Sequence, residues 1–397
     1  MSKKTKAVIS TCVTSSMGMI ALVTTAVLAY IIADYAAQGV PVSKIVSVMT
    51  IQPLVGVFMA FLVGPISMRV SKKLLMMLAL LLVIINGVIF AFMGGSCDYN
   101  WLLLASAFTG VVSGIVSTVP NSVVSQYVDN FEERGKYTGY NNAFMQGGAL
   151  IMSAVGGFLG AMRWQYAYYL YFLAVPALII VAVLCPPDEK QEAAGKQAFQ
   201  FDQIPARIWM MCVHYAVFFV CCYTFSVYIS SYIITDFRLG SSAQAGIATA
   251  LRGISAVLAA ALYSKYNRKL GKWFMPFFCI TTTLGYLLCT TLTTTLIGCM
   301  AGAFLIGIGQ SAVAPYVIGE ASKEVPGQLM PLAISMIMGS MSLGMFLSKY
   351  ITGWLCIPLG GESTYNRFLA TTIICVIAII LGFLIYTAGK KREEKDS

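Results

Sequence analysis

An all-α, polytopic membrane protein of twelve transmembrane helices, arranged as two pseudo-symmetric six-helix bundles, is predicted by three features of this sequence. Hydrophobic residues make up 58% of the 397 positions and charged residues only 11%, against roughly 25% charged in soluble domains. Such a chain has too little polar surface to face water, and lipid as the outer solvent removes that requirement. Twelve apolar runs of about 20 residues, each long enough to cross a hydrocarbon core as a helix, follow one another along the chain. The formal charge of +10 is gathered in short clusters between these runs, the distribution that sets membrane topology.

The runs cover 8–33, 42–67, 74–93, 101–126, 138–161, 166–185, 208–233, 242–266, 274–292, 296–319, 331–356 and 366–388. Short breaks built from turn formers separate them, as at Gly39-Val40-Pro41, Gly94-Gly95-Ser96 and Gly360-Gly361-Glu362. The longest break carries Pro186, Pro187, Lys190, Lys196 and Arg207 and falls in the middle of the chain. The expected organisation is an N-terminal bundle, 1–185, a linker, 186–207, a C-terminal bundle, 208–388, and a tail, 389–397. Lys3, Lys4 and Lys6 ahead of the first run imitate a signal peptide, but the run is too long for one and eleven more follow.

Loop charge orients the spans. One side holds the N-terminus, Arg69, Lys72, Lys73, Arg134, Lys136, the linker, Lys265, Arg268, Lys269, Lys272, Lys323 and Lys390-Lys391-Arg392, about 20 of the 26 basic residues. The other side holds little beyond Lys44, Arg163, Arg238 and Arg367. The positive-inside rule then places both termini in the cytoplasm and the chain in the cell membrane.

Several classes of function drop out. Basic residues scattered between apolar runs make no nucleic-acid face. Most of the eleven cysteines sit within or at the ends of apolar runs as small hydrophobes, and no CxxC or Cys/His spacing suits a metal. His214, the sole histidine, builds no metal site alone. No nucleotide-binding glycine loop and no nucleophile–base pair is present. The expectation is a monomeric transporter, not an enzyme, without cofactor, whose partners are a small solute and the lipid bilayer.

The loop after the second run, Gly64-Pro65-Ile66-Ser67-Met68-Arg69-Val70-Ser71-Lys72-Lys73, has a counterpart after the eighth, Ser264-Lys265-Tyr266-Asn267-Arg268-Lys269-Leu270-Gly271-Lys272. A repeated six-helix unit implies a solute site near the membrane midplane, at the interface of the repeats. These loops resemble the signature of the major facilitator superfamily, a glycine-led basic loop between helices 2 and 3 that recurs between helices 8 and 9. The segment Asn130-Phe131-Glu132-Glu133-Arg134-Gly135-Lys136, the pairs Gly147-Gly148 and Gly156-Gly157, and Arg163-Trp164 are similar to that superfamily too. The resemblance implies two bundles rocking about a central site to give alternating access, with Gly64, Arg69, Lys72, Arg268 and Gly271 in the loops that switch. Met68 stands where the family usually has Asp, Ser71 where it has Gly, and Ser106 about where proton-coupled drug exporters have Arg. Helix 5 lacks the Gly-Pro of the antiporter motif.

Arg252 is the most informative single residue. It lies roughly 15 Å from the outer end of its run at the helical rise, a depth at which a cation costs several kcal/mol unless it meets water or a partner. Lys349 lies roughly 8 Å outward of its own helix midpoint. No Asp or Glu lies deep in any run: Asp34, Asp236 and Glu362 stand at outer ends, Glu320 at an inner one. A buried cation without a carboxylate suits an anionic solute, with Arg252 as bidentate carboxylate ligand and Lys349 as second charge. A positive pair in helices 8 and 11 resembles the oxalate–formate antiporter group. Thr109, Ser113, Ser117 and Asn121 repeat every four residues on one helix face. Gln52, Gln146 and Gln310, with Pro53, Pro120 and Pro315, extend the polar set. Tyr228 is a candidate aromatic wall of the solute site, and His214 a candidate proton relay. The expected function is secondary active or exchange transport of an organic anion. Export of hydrophobic compounds, suggested by Met336, Met338, Met341 and Met345, and a non-transporting sensor are the alternatives.

Overall fold

The computed structural model describes residues 2–127, 131–186, 204–292, 295–311, 313–325 and 330–388, and every regular element among them is helical. Asn130, residues 187–203 of the linker and residues 389–397, including Lys390, Lys391 and Arg392, lie outside the described residues. So do, beyond their helical backbone, Gly64, Arg69, Arg134, Lys136, Lys265 and Pro315, and likewise Lys272. The chain divides into two compact units, Met1–Lys196 with Ser241–Ile247, and Gln197–Gly240 with Ala248–Ser397.

The first unit contains α1 (Lys3–Ser16), α2 (Leu22–Ala37), the single turn α3 (Val42–Ile45), α4 (Ser47–Arg69), α5 (Lys72–Val88), α6 (Tyr99–Tyr127), α7 (Phe131–Met162) and α8 (Ala174–Leu184). Ser71 caps α5 by accepting from the Leu74 amide at 3.5 Å, which satisfies one of the amides every helix start leaves open. Lys72, buried at this start, donates to Gln126 Oε1 at 3.2 Å and to the Ser122 carbonyl at 3.5 Å, tying α5 to α6. Ile31, Leu80, Val83, Leu102, Val112 and Tyr168 belong to the unit's apolar core.

The second unit contains α9 (Ala206–Ser231), most of α10 (Ser242–Ala261), α11 (Tyr263–Leu270), α12 (Phe274–Thr291), α13 (Leu296–Ser311), α14 (Val313–Glu324), α15 (Met330–Cys356) and α16 (Thr364–Ala388). Its core is more aromatic, built on Tyr215, Phe218, Phe274, Phe278 and Tyr316. Phe274 stacks on Tyr316 at 4.4 Å. Arg207, in the first turn of α9, reaches Glu324 and, at 3.7 Å, Glu320 of α14. Arg268 is exposed in the last turn of α11, where cations suit the helix dipole. Gly271 then ends α11 at φ +48°, a left-handed conformation that favours glycine.

Among the described residues ten helices are long and apolar enough to cross a membrane, and two shorter apolar helices, Leu22–Ala37 and Leu296–Gln310, occupy the first and tenth runs. Several runs are less regular than the sequence pattern implies. The run 242–266 turns at Leu262 between α10 and α11, and 296–319 is divided between α13 and α14. The run 166–185 begins as a 3-10 helix, Trp164–Leu173, before α8.

The first run is broken between Ser16 and Leu22, and the cause is visible. Thr14 Oγ1 and Ser16 Oγ turn back to the carbonyls of Ser10 and Val13, at 2.8 and 2.7 Å, in competition with the helical ladder. The amides of Met17 and Gly18 tighten to i−3 partners, Thr14 and Ser15. Gly148 of α7 passes directly over the break, and a Cβ there would collide with the Ser16 carbonyl oxygen. Gly148→Ala is therefore expected to destabilise the first unit by about 1–3 kcal/mol through overpacking. A thermal midpoint in detergent checks this; an unchanged midpoint would show that the break yields freely.

Candidate functional site

In the second unit α10 carries a face of small residues, Ala248, Thr249, Ser255 and Ala259, all buried, and Arg252 among them. Arg252 is 9% exposed. Its Nη1 donates to the Cys222 carbonyl of α9 at 3.3 Å and to Gln310 Oε1 of α13 at 3.2 Å. Its guanidinium carbon stands 5.8 Å from the centre of the Phe225 ring, within cation–π range.

Gly307 is what brings Gln310 there. A Cβ on Gly307 would strike the Arg252 carbonyl oxygen and Ser255 Oγ, so α13 lies against α10 only because that side chain is missing. Gln310 follows one turn later on the same face. The two acceptors use one nitrogen of a group with five N–H donors. Among the described residues no hydrogen bond is made by Arg252 Nε or Nη2, and no carboxylate pairs with it. The edge left open is the one that grips a carboxylate with two parallel bonds.

The unit's other buried arginine is treated differently. Arg367, 7% exposed, pairs with Glu362 at 2.8 Å. It also donates to the Lys349 carbonyl and to Thr352 Oγ1, both at 3.1 Å. Its guanidinium carbon lies 4.6 Å from the Tyr228 ring centre. Phe225 and Tyr228 are one turn apart on α9, so each arginine rests on a ring of the same stripe. Tyr228 is buried and its hydroxyl has no hydrogen-bond partner. Lys349 is half-buried, its Nζ 4.9 Å from the Tyr350 ring centre.

Of the residues singled out in the sequence, Arg252 and Gln310 meet directly, and Tyr228 and Lys349 share Arg367 as neighbour. Arg367 and Gly307 were missed: one reads as a loop cation at the start of its run, the other as one glycine among 35. In the first unit Gln52 is buried and donates to its own helix, at Val48 O. Asn121 accepts from Asn141 at 3.2 Å. Gln146 is half-buried in α7. The hydroxyl stripe of α6 separates: Thr109 takes a hydrogen bond from Asn86 at 3.1 Å, whereas Ser113 and Ser117 are exposed. The methionines Met336, Met338, Met341 and Met345 join the apolar core of the second unit.

His214 is buried where α9 meets α16, its Nε2 3.0 Å from the Ala378 carbonyl and its ring edge-on to Tyr386. It stands eight residues, roughly 12 Å at the helical rise, from Cys222.

Comparison with known families decides the architecture. The profile described as Major Facilitator Superfamily matches residues 9–292 and, overlapping these, 215–397. The chain belongs to the Major Facilitator Superfamily. Membership makes it a membrane-spanning transporter of small molecules. Two solved structures are similar over nearly their whole length. One is a bacterial homolog of the human lysosomal transporter Spinster, with a TM-score of 0.74, 17% identity, and 98% of each chain covered. The other is the nucleoside transporter NupG, with a TM-score of 0.74, 12% identity, and 96% of this chain and 98% of that chain covered. These likenesses concern the fold. No curated protein matches the chain.

Proposed function

We propose that this transporter moves a small organic anion bearing a carboxylate, by alternating access, with Arg252 as its principal ligand. The observation that carries the reading is the open Nε–Nη2 edge of Arg252, a buried cation whose described partners are all neutral: a carbonyl, an amide oxygen and a ring. A cation at such depth is costly when unpaired, and a solute carboxylate supplies the missing charge and two acceptors at once. Gln310 holds the guanidinium on one side and leaves its own amide nitrogen to a second solute oxygen. Lys349 and Tyr228, the neighbours of Arg367, are further polar groups that the reading assigns to the solute's path.

Exchange of one anion for another fits this site, since an empty guanidinium favours reloading before the site turns over. The experiment is uptake of labelled mono- and dicarboxylates into proteoliposomes preloaded with unlabelled carboxylate. Stimulation by internal carboxylate supports the reading, and uptake of none of them ends it. A proton-relay role for His214 has its own test. If His214 passes protons, His214→Gln flattens the pH dependence of uptake while leaving affinity unchanged; an unaltered pH profile assigns the ring to the α9–α16 contact alone.

A further inference from the structure

A polar recess lies in the first unit, apart from Arg252 and its neighbours. It has a volume of about 610 Å³ and is lined by Asp34 and Gln38 at the end of α2, Ser96, and Arg163, Gln165 and Tyr166 around the α7 terminus. An adjoining recess of about 420 Å³ shares Asp34, Arg163 and Gln165. The Gly94–Cys97 loop that forms its wall is held by side chains. Tyr35 Oη accepts from the Gly95 amide at 3.1 Å and donates to the Cys97 carbonyl at 3.2 Å. Gln38 Nε2 donates to the Gly95 carbonyl at 3.0 Å, and Gln165 Nε2 to the Gly94 carbonyl at 3.2 Å. Trp164 Nε1 donates to Asp34 Oδ2 and so orients the carboxylate.

Within this frame two features stand unpaired. Gln165 is 8% exposed, yet its Oε1 has no hydrogen-bond partner. Asp34 and Arg163 line one recess without forming an ion pair among the described residues. Gly95, at φ +83°, leaves a hollow beside the Gln165 amide and the Asp34 carboxylate. A Cβ there would lie 3.1 Å from Gln165 Nε2 and 3.6 Å from Asp34 Oδ2. Beside them Tyr166 and Tyr169 stack at 5.4 Å and present an apolar face.

We propose that this recess binds a zwitterion of the amino-acid type. The ammonium sits on Asp34, the carboxylate reaches Arg163, and an apolar side chain lies on the tyrosine pair. A simple cation leaves Arg163 opposed, and a simple anion leaves Asp34 unmet. Only a ligand carrying both charges answers both groups. A volume of this size falls in the range of small-molecule pockets. The site is independent of Arg252 and of the anion it is proposed to carry.

The test is equilibrium binding of labelled phenylalanine to the purified full chain, with phenethylamine and 3-phenylpropionate as competitors. Phenylalanine is expected to bind saturably, with each single-charge analogue weaker by up to roughly fivefold, as loss of one partly solvated charge contact implies. Asp34→Asn, which keeps an acceptor for Trp164, and Arg163→Gln, at an exposed position, should each weaken binding to a similar degree. Arg252→Gln should leave it unchanged, which separates this site from the proposed transport site. Absence of saturable binding, equal competition by the amine, or binding untouched by both Asp34→Asn and Arg163→Gln would each overturn the proposal.

Discussion

Arg252→Gln is expected to abolish carboxylate uptake while leaving the empty protein at least as stable as before. Truncating one partner of a buried, hydrogen-bonded charge pair costs about 2–5 kcal/mol, and 3 kcal/mol is roughly a 150-fold loss of affinity. Arg252→Lys keeps the charge but loses the planar fork, so it should retain a fraction of uptake with a raised KM. The stability arm separates a ligand from a strut. Among the described residues Arg252 is a buried cation balanced by a carbonyl, an amide oxygen and a ring, and the cost of holding it there is several kcal/mol. Removing it relieves that cost, while the freed Cys222 carbonyl and Gln310 amide lose about 1–3 kcal/mol of hydrogen bonding. The thermal midpoint without solute should hold or rise, and stabilisation by added carboxylate should vanish. Arg367→Gln is the contrasting case: it strips Glu362 and Thr352 of a paired partner, and its midpoint should fall. Wild-type uptake of carboxylates by the Arg252→Gln protein would remove the proposed function altogether.

The spans were legible because lipid imposes a simple rule, about twenty apolar residues for each crossing. That rule says nothing of breaks inside a span. The interruption at Ser16–Leu22 depends on Gly148, far away in the chain, meeting the Ser16 carbonyl. Its local signal, Ser15-Ser16 followed by Gly18, is too short to outweigh the surrounding apolar run. Arg252 was legible because a lone charge in an apolar run stands out whatever surrounds it. Its partners were not, since a helix carbonyl and a phenyl ring carry no polar signal in a sequence. Arg367 stands at the first turn of its span and reads as a loop cation; in the fold it is buried against Tyr228 from α9 and Thr352 from α15. Asn121 is legible as polar but not as one half of an Asn121–Asn141 pair, because one-dimensional spacing does not reveal which helix lies opposite.

Gly307→Ala is the second change with a large expected effect, and it tests how the site is assembled rather than which group binds. The added methyl meets the Arg252 carbonyl and Ser255 Oγ. The Ser255 hydroxyl can rotate, but the backbone oxygen cannot, so α13 must move off α10. The Arg252–Gln310 hydrogen bond begins at 3.2 Å, and a shift of about 1 Å takes it beyond useful geometry. Overpacking costs about 1–3 kcal/mol of stability. Loss of the orienting amide should lower carboxylate affinity by roughly tenfold, the worth of one hydrogen bond to a charged group. A stability loss by itself would not distinguish this from any glycine in a tight helix contact, so Gly302→Ala is the control. Gly302 lies on the same helix, but its Cβ would meet Cys289 and Gly285 of α12 instead. Both variants should lower the thermal midpoint, while only Gly307→Ala should raise the KM for carboxylate. Equal KM values in the two variants would mean that Gln310 does not position Arg252, and that the guanidinium is held by the Cys222 carbonyl and Phe225 alone.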